Sequence, residues 1–433
     1  MKSVRKGALV AVASVAALAT ACSSSSKPAA TSSTTAGSSN SSASSSPSSV
    51  AAASGSPIMI GNIGSYTGAN DENGAGAGQL VQAWASSINA SGGLNGHPVK
   101  VVVLDDAGSP SKALQDANQL VADHVVAVVG EDSIIPTSWT SVMDKAGIPL
   151  IGGIPSDPFN YTDTNAFPIG LSAVPQIAGE LEYMKSQGLT KFGMLYCAEA
   201  PICASLGPAS KAVAGIVGGV TVPYVGEVAA TSPTYTSQCE AMQSAGVQAV
   251  EVASVPSVPI RVAAACAQLG VKPKQINASE TSDAAWLTTP SLDGAVLISP
   301  VADYTDSSLP AVAQFLSVGS QYISGLQKNP QFGQHALLGW AAAQVFEAAA
   351  KAGNLGPTST SQDVKTALYT LKGFDAGGIM PAVTYTQGQP TFVSCYFTYQ
   401  ESSGAWKPLN NDQSTCLPAA TVTALQGMLK AAG

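Results

Sequence analysis

The sequence predicts a two-lobed α/β protein in which each lobe is built around a parallel-rich sheet. From Ile58 onward, short apolar runs alternate with stretches of helical periodicity, and the alternation starts afresh after Ala173. Strands separated by helices of this length are typical of crossovers between parallel strands. With 433 residues and 45% hydrophobic content, the chain is also large enough to fill two cores.

The first lobe is predicted to contain βαβ units. The predicted strands cover residues 58–63, 99–104, 125–129 and 148–151, and helices are predicted over 78–89, 111–122 and after Pro136. The first helix ends at Ser91-Gly92-Gly93. Each strand is a mainly apolar run of four to six residues, which is within the usual length of a buried strand.

The second lobe repeats this pattern and ends in a hairpin. Strands are predicted over 192–196, 221–225, 247–253, 275–277 and 294–299. Helices are predicted over 259–269 with Ser257 as N-cap, over 309–326, over 334–352, and from a cap at 358–361 to about 371. The tail segments 383–385 and 392–399 predict a β-hairpin, with Cys395 facing Cys416 beyond a turn at Gly404.

Residues 1–21 are predicted to form a lipoprotein signal peptide. A basic start is followed by an apolar run from Ala8 to Ala21 and then by Cys22. This order is typical of an export signal, and about 14 apolar residues are too few to span ~30 Å of hydrocarbon. Ala19-Thr20-Ala21-Cys22 resembles the lipobox, which implies a chain outside the cytoplasm that is anchored to the cell membrane by lipid on Cys22. The alternative is an ordinary secretory signal with a chance cysteine.

Residues 22–55 are predicted to be the lipidated Cys and a disordered Ser/Ala-rich linker. The segment contains no aromatic residue and almost no charge, so it cannot bury a core. A flexible tether of this kind would hold the folded part near a partner in the membrane.

The charge balance argues against nucleic acid as a partner. The chain carries 19 basic and 27 acidic residues, a formal net charge of −8. After Arg5, Arg261 is the only arginine. A site that holds phosphates or dicarboxylates with paired guanidinium groups is therefore not expected, and a bound anion would depend on backbone N–H groups, hydroxyls or lysine.

The cysteines predict three disulfides. Of seven cysteines, Cys22 is assigned to lipid, which leaves six. An even number in an exported chain favours disulfides, although six cysteines allow 15 pairings. We predict the pairs that are local in sequence: Cys197–Cys203, Cys239–Cys266 and Cys395–Cys416. A metal site is the weaker alternative, because there is no C-x-x-C motif and the three histidines are scattered.

The candidate ligand-binding residues lie in loops that follow the predicted strands. In open parallel sheets, ligands bind beyond the carboxyl ends of the strands, and two lobes place that site in the cleft between them. The candidates are Tyr66, Ser133, Ser156, Glu199, Ser257 and Glu280. Hydroxyls and helix-start amides suit a carboxylate, and an acid suits an ammonium group, so the inventory predicts a small zwitterionic or polar solute.

Each candidate has a structural alternative. Ser133 and Ser156 are also suited to capping helices, which is the commoner role of serine in such loops. Glu280 could be a solvated loop acid, and Tyr66 could pack on the cleft wall. The glycine-rich run 74–78 lacks the lysine of a phosphate-binding loop, so nucleotide binding is not predicted.

The stretch Ile88-Asn89-Ala90-Ser91-Gly92-Gly93-Leu94-Asn95-Gly96, followed by a strand ending in Leu104-Asp105-Asp106, resembles the leucine/isoleucine/valine-binding protein family. So do Ser109-Pro110 before a helix and Ala146-Gly147-Ile148-Pro149-Leu150-Ile151 before a loop. The resemblance implies the type I periplasmic-binding-protein fold, with two Rossmann-like lobes joined by a three-strand hinge near residues 172, 297 and 379. Lobe I would then comprise residues 56–172 plus 297–379, and lobe II residues 173–296 plus 380–433.

The resemblance also implies a function. Members of the family deliver amino acids or similar solutes to the permease subunits of ABC importers, by hinge closure around the solute. It places hydroxyl contacts at Ser133 and Ser156 and the acid for the ligand ammonium at Glu280. A monomer without cofactor or metal is expected. A sensor that signals to a membrane receptor is an open alternative.

An exported hydrolase is a further alternative, which the sequence disfavours. Such an enzyme needs an activated nucleophile with an oriented base. The chain contains neither G-x-S-x-G nor H-E-x-x-H, and its histidines are His97, His124 and His335, far apart in sequence. We therefore expect no catalytic residues.

Overall fold

The structure is a computed structural model that describes residues 51–68, 76–155 and 159–432. The predicted signal peptide, Cys22, most of the predicted linker and Ser156 lie outside the described residues. Within the described ranges, none of the helices combines the length and the apolar character that a membrane span requires.

The first sheet is entirely parallel. Its described strands are β1 (Ile58–Gly64), β2 (Val99–Asp105), β3 (Val128–Val129), β4 (Leu150–Ile151) and β5 (Ala166–Phe167), in the spatial order β2-β1-β3-β4-β5. The helices between them are α1 (Ala77–Ala90), α2 (Pro110–Ala122), α3 (Thr140–Ala146) and α4 (Phe159–Thr162). Because β1, β3 and β4 are neighbours and parallel, the loops that follow them meet at one edge of the sheet.

The second sheet begins after the first is complete. Its parallel strands are β6 (Lys191–Cys197), β7 (Thr221–Val228), β8 (Ala249–Ala253), β9 (Lys274–Ala278) and β10 (Val296–Ser299). The helices of this part are α5 (Ala173–Ser186), α6 (Leu206–Val217), α7 (Thr236–Ala245) and α8 (Ser257–Gln268). The spatial order β10-β9-β8-β6-β7 brings the carboxyl ends of β6, β8 and β9 together.

A helical segment then returns to the first sheet. It contains α9 (Pro310–Tyr322), α10 (Gln334–Ala352) and α11 (Ser361–Leu368), and α10 lies against α1, β3 and β4. Helix α10 is buried along most of its length, which its small side chains allow. A Cβ atom at Gly339 would lie 2.9 Å from the carbonyl oxygen of Ala77, so the approach of α10 to α1 requires glycine there.

The tail completes the second sheet with antiparallel strands. These are β11 (Cys395–Ser402), β12 (Ala405–Pro408) and β13 (Thr415–Cys416), and the chain continues into α12 (Ala419–Ala432). β11 pairs with β10 and with β12, and Gly404 at φ 80° forms the turn between β11 and β12. The predicted fold, an α/β protein with parallel-rich sheets in two lobes, is confirmed.

The segments that connect the two sheets are bonded to one another. Gln334 at the start of α10 donates to the hydroxyl of Ser299 at 2.9 Å and to the carbonyl of Ala302 at 2.8 Å. The N–H of Ala302 donates to the carbonyl of Ile379. The Tyr385 hydroxyl donates to the carbonyl of Pro168 at 3.0 Å. These bonds tie the connections into one bundle at which the two sheets meet.

Four predicted elements differ from the structure. Ser257 is not the N-cap of α8 but its first residue, and Pro256 occupies the cap. The predicted strand 383–385 is replaced by an isolated bridge between Phe374 and Val383. The strand predicted over 125–129 is reduced to β3, because only its last residues pair with β1 and β4. The helix predicted over 309–326 ends at Tyr322, with a separate short turn at Leu326–Lys328.

The three predicted disulfides are confirmed. The structure joins Cys197 to Cys203, Cys239 to Cys266, and Cys395 to Cys416. Each pair closes a short loop within the second lobe, with sequence separations of 6, 27 and 21 residues. Cys395 and Cys416 lie directly opposite each other on β11 and β13, as predicted.

Candidate functional site

A cavity of about 180 Å³ lies between the carboxyl ends of β6, β8 and β9 and the loops of the first lobe. Its walls are mainly apolar and come from both lobes. They include Ile134, Ile154 and Tyr161 on the first-lobe side, and Ile177, Leu206 and Val255 on the second-lobe side. An engineered cavity of about 150 Å³ with an apolar lining is large enough to bind benzene. The cavity is therefore roomy enough for the apolar body of a small organic solute.

The disulfide between Cys197 and Cys203 shapes one wall of the cavity. Cys197 ends β6, and the loop it closes places Ala200, Ile202 and Cys203 along the lining. A closed loop of this length has few conformations, so the bond holds the wall in place beside the opening.

Two buried acids of the second lobe face the cavity, and a third lies behind them. Glu251 is on β8, and Glu280 is in the short turn Ser279–Thr281 after β9. Glu180 on α5 is fully buried and contacts Glu251. Helix α5 packs against β9 and β10, so its inward face carries Glu180 to the strand ends. We call Glu180, Glu251 and Glu280 the second-lobe acids.

The second-lobe acids are short of hydrogen-bond donors. Glu280 is 8% exposed, and its Oε2 accepts from Gln176 Nε2 at 3.1 Å, while its Oε1 has no hydrogen-bond partner among the described residues. Glu251 Oε2 and Ser254 Oγ are likewise buried without a partner in the described part of the chain. Glu180 is paired with the neighbouring Glu251 carboxyl, and neither of its oxygens receives a bond from an N–H group of the residues that the structure describes. Buried polar atoms normally have partners, so the atoms of Glu280, Glu251 and Ser254 that lack one indicate an unfilled site.

Burial raises the pKa of all three carboxyls. Burial and the neighbouring Glu251 and Glu280 raise the pKa of Glu180 well above its ordinary value. Burial raises the pKa of Glu251 to about 7, although its contact with Glu180 opposes the shift. Burial also raises the pKa of Glu280, against the hydrogen bond from Gln176 and the charge of His335. Near neutral pH the group therefore holds protons that an incoming cation would displace.

His335 is the basic group of the described cavity lining, and both of its ring nitrogens are engaged. Nδ1 lies 2.8 Å from Asp132 Oδ1, and Nε2 lies 3.2 Å from the carbonyl oxygen of Glu280. Burial disfavours the charged ring, but the Asp132 carboxylate outweighs burial and raises the pKa of His335. The His335 imidazolium therefore bridges Asp132 of the first lobe and the backbone of Glu280 in the second lobe.

On the first-lobe side, Ser133 is engaged with acids of the chain itself. It is fully buried, its hydroxyl donates to Asp106 Oδ2 at 2.6 Å, and its N–H donates to Glu131 Oε2 at 3.0 Å. Glu131 Oε1 accepts from the N–H of Ile154 at 2.9 Å. A Cβ atom at Gly153 would collide with the Glu131 carboxylate, so glycine makes room for this acid.

Asp105 and Asp106 take further donors of the same loops. Asp106 is fully buried and accepts from the Ser65 hydroxyl at 2.6 Å and from the N–H of Gly108 at 2.8 Å. Asp105 accepts from the N–H groups of Tyr66 and Thr67 at 3.0 and 3.2 Å. We call Asp105, Asp106 and Glu131 the first-lobe acids.

Of the predicted ligand-binding residues, Glu280 lines the cavity. Ser133 and Tyr66 lie in the first-lobe loops, where the Tyr66 hydroxyl donates to Asn62 Oδ1. Glu199 accepts from the N–H of Ala230 at 2.6 Å, and Ser257 begins α8. None of these four is among the described residues that line the cavity, and Ser156 lies outside the described residues. Their roles in binding stay predictions.

Glu180 and Glu251 were not predicted as site residues. Glu251 stands in the apolar strand Ala249–Ala253, where an acid between valines is a signal that sequence reading could have used. Glu180 lies in a helix beside Glu182 and looks like an ordinary surface acid. No group of histidine, cysteine and acidic side chains within the described ranges has the arrangement of a metal site.

The sequence profile of the periplasmic binding protein family matches residues 57–405. The chain therefore belongs to this family, which consists of solute-binding proteins rather than a class of enzymes and implies a location outside the cytoplasm. The resemblance predicted from the motifs between Ile88 and Ile151 is confirmed.

Curated relatives match a short part of the chain. An amino acid binding protein of Pseudomonas aeruginosa is 43% identical over 95 residues, which are 21% of this chain and 25% of the relative. Leu/Ile/Val-binding protein homolog 2 of Brucella abortus is 36% identical over 84 residues, 19% of this chain and 23% of the relative. The match thus spans about a quarter of the length of these relatives.

Solved structures match the fold over most of the chain. A branched chain amino acid ABC transporter protein from Thermus thermophilus, solved with bound valine, has a TM-score of 0.73 at 17% identity and covers 85% of this chain and 98% of its own. A fatty acid ABC transporter substrate-binding protein from Thermomonospora curvata has a TM-score of 0.71 at 16% identity, covering 86% and 95%. At these identities the likeness establishes the fold.

Proposed function

We propose that the protein is the substrate-binding lipoprotein of an ABC importer. It captures a small polar solute, an amino acid or related compound of the branched-chain type, in the cleft between its lobes. The observation that carries this proposal is the cavity at the strand ends, which is lined from both lobes and includes Glu280, a buried acid with one carboxyl oxygen that has no partner among the described residues. The similarity to a structure solved with bound valine supports a solute of this size.

The proposed mechanism is hinge closure. Lobe I comprises residues 56–172 plus 297–379, and lobe II comprises residues 173–296 plus 380–433. The solute favours the closed state because it contacts both walls only when the lobes have closed, and the permease subunits recognise that state. The bonded connections around Gln334 support a hinge, since they join the segments that connect the two lobes.

Glu280 is the proposed receptor for the ammonium group of the solute. It is buried, lines the cavity and keeps one oxygen without a partner in the described residues. Ser156, Tyr66, Glu199 and Ser257 are proposed secondary contacts, reached when the lobes close. Ser133 is proposed as a further contact through its hydroxyl oxygen as an acceptor, because its donors are used by Asp106 and Glu131. A monomer with this arrangement needs no cofactor for binding.

The test uses the full mature chain with Cys22→Ser, which carries no lipid. Melting temperature and radius of gyration are measured with a panel of amino acids, their amides, amines and small acids. We expect at least one compound to raise the melting temperature and reduce the radius of gyration, because closure buries the cleft. If no compound does either, the importer role loses its basis.

The lipid anchor is a separate proposal with its own test. The native chain is expected in the membrane fraction with a lipid-modified Cys22, and the Cys22→Ser variant in the soluble fraction. Lipid adds about 0.8 kcal/mol of membrane affinity per buried CH₂, so its loss should release the protein. A native chain that is soluble and unmodified would contradict anchoring.

A further inference from the structure

In the loops of the first lobe, the N–H and hydroxyl groups that could bind an anion already donate hydrogen bonds to carboxylates of the chain itself. The N–H groups of Ser133 and Ile154 converge on Glu131, at 3.0 and 2.9 Å. Two N–H groups that meet on one carboxylate form the arrangement that would otherwise hold a carboxylate of the solute. Glu131 is 3% exposed, so the arrangement is built into the loop rather than open to solvent.

The hydroxyls of these loops are engaged in the same way. Ser65 and Ser133 both donate to Asp106 at 2.6 Å. Their oxygens then accept from the N–H groups of Ile134 and Ile135, at 3.2 and 3.4 Å. A solute carboxylate would have to displace an internal acid to gain any of these donors, which leaves a buried carboxylate without partners.

On the second-lobe wall of the cavity, carboxylate acceptors are available instead of being taken up by donors of the chain. Glu251 is 4% exposed and Glu280 is 8% exposed, both line the cavity, and each keeps an oxygen without a partner among the described residues. Gln176 is the side-chain amide that reaches Glu280, and it satisfies Oε2 only. These acids lack donors, which a solute with N–H groups would supply.

No described side chain of the cavity lining is free to neutralise a solute carboxylate. His335 is the basic group there, and its two nitrogens are held by Asp132 and by the Glu280 carbonyl. A solute carboxylate beside Glu251 and Glu280 would find no available cation among the described lining residues, and any ionised carboxyl there would repel it with little screening. A cation would favour the ionised form of these carboxyls and pair with it.

We propose that the solute is an organic amine: a cationic or N–H-rich nitrogen group on an apolar body, with no carboxylate required for binding. This inference rests on the proposed function, because it names the class of solute for the same cavity. The nitrogen donates to Glu280 Oε1 and Glu251 Oε2, and the apolar body lies against Ile177 and Leu206.

The test compares three compounds that share one branched body. Leucine carries both charges, 3-methylbutylamine lacks the carboxylate, and 4-methylpentanoate lacks the ammonium group. Their affinities for the full mature chain with Cys22→Ser are measured by calorimetry at pH 7. We expect the amine to bind at least tenfold more tightly than leucine, and the acid to show no binding.

Substitutions of the two acids that line the cavity test where the nitrogen of the solute binds. Glu280→Gln and, separately, Glu251→Gln are expected to weaken binding of 3-methylbutylamine at least tenfold. Glu240→Gln is the matched control, because Glu240 is an exposed acid on α7 of the same lobe, and binding should be unchanged. Unaltered binding by both cavity variants would overturn the proposal even if the amine binds.

The outcomes separate this inference from the proposed function. If leucine or 4-methylpentanoate binds and closes the lobes while the amine does not, the amine proposal is wrong and the importer role stands. If the amine binds and leucine binds more weakly, both stand. If none of the three, nor any member of the wider panel, changes the melting temperature or the radius of gyration, both are overturned.

Discussion

The first-lobe acids and the second-lobe acids differ in how many hydrogen-bond donors reach them. In the first lobe, Asp106 accepts three hydrogen bonds and lies beneath loops that are folded around it. In the second lobe, Glu180 is equally buried and receives no N–H or hydroxyl donor from the described residues. A carboxylate surrounded by donors is stabilised in its charged form, and one without donors is held protonated or awaits a partner. We therefore assign the first-lobe acids to the architecture and propose Glu251 and Glu280, the second-lobe acids that line the cavity, for the site.

The contrast also explains why side-chain type alone is a poor guide to binding residues. Ser133 has the hydroxyl that a ligand contact requires, but its donor is used by Asp106, which is 27 residues away in sequence. Glu280 is an acid in a similar loop that lines the cavity, and its Oε1 is buried without a hydrogen-bond partner among the described residues. What decides the role is whether the fold has already supplied the partner.

The largest expected effect is on stability in the first lobe. Asp106→Ala removes the acceptor of two buried hydroxyls, those of Ser65 and Ser133, and of the part-buried N–H group of Gly108. Each unsatisfied buried group costs about 1–3 kcal/mol, so we expect a loss of about 4 kcal/mol in the free energy of unfolding. Urea denaturation followed by circular dichroism measures it. A loss below about 1 kcal/mol would show that the first-lobe acids are not structural.

The next effect is on binding in the second lobe. Glu280→Gln is expected to weaken 3-methylbutylamine binding by about 2 kcal/mol, since a charge-assisted hydrogen bond contributes about 1.5–3 kcal/mol. Stability should change little, because Glu280 has few bonds to lose. Calorimetry and thermal melting of the same samples separate the two effects. A variant that melts far below the native protein but binds normally would reverse the roles given to the two lobes.

The features of the fold and of the site that could be predicted from the sequence are those that depend on residues close together in the chain. The alternation of apolar runs and helical patterns predicted both sheets, and cysteine spacing predicted all three disulfides. The sequence placed Glu280 in a loop after a strand, at the ligand edge of a parallel sheet, and Glu280 lines the cavity; its role in binding, which the family resemblance implies, stays a prediction. These are local signals.

The remaining features depend on tertiary packing. Glu180 has the sequence of a surface helix, and only the docking of α5 on β9 and β10 buries it. Glu131 could not be assigned as the acceptor for Ile154, since the two meet through a loop closure of 23 residues. Strand β3 is shorter than its apolar run because pairing, not hydrophobicity, sets its ends.

A pH dependence of stability should arise mainly from the second lobe. The Glu251 carboxyl has a folded pKa of about 7 against an ordinary value of 4.5, so the unfolded chain releases its proton first as pH rises. The contribution of Glu251 to stability is therefore greatest below about pH 4.5 and is lost as the pH rises to about 7, by on the order of 3 kcal/mol. His335, whose pKa is also raised, adds a loss in the same direction above pH 6.5.

Thermal melting between pH 5 and pH 8 measures this dependence. The melting temperature of the native protein should fall across that range, and Glu251→Gln should reduce the fall, because a neutral amide cannot ionise. A melting temperature that rises from pH 5 to pH 8 would contradict the assignment of Glu251 as a donor-poor acid.

The smallest expected effect is a release of protons on binding. An amine that binds at pH 6.5 should displace up to about one proton from the second-lobe acids, since their raised pKa values keep them partly protonated there. Calorimetry in two buffers of different ionisation enthalpy measures the number released. The release should shrink in Glu251→Gln and persist in Glu240→Gln.

A crystal structure with 3-methylbutylamine tests the central contrast between the lobes most directly. The predicted result is a nitrogen within about 3 Å of Glu280 Oε1, a normal hydrogen-bond distance, with Glu131 still accepting from Ser133 and Ile154. A nitrogen placed away from Glu280 and Glu251, or a first-lobe loop whose amides have left Glu131, would contradict the account.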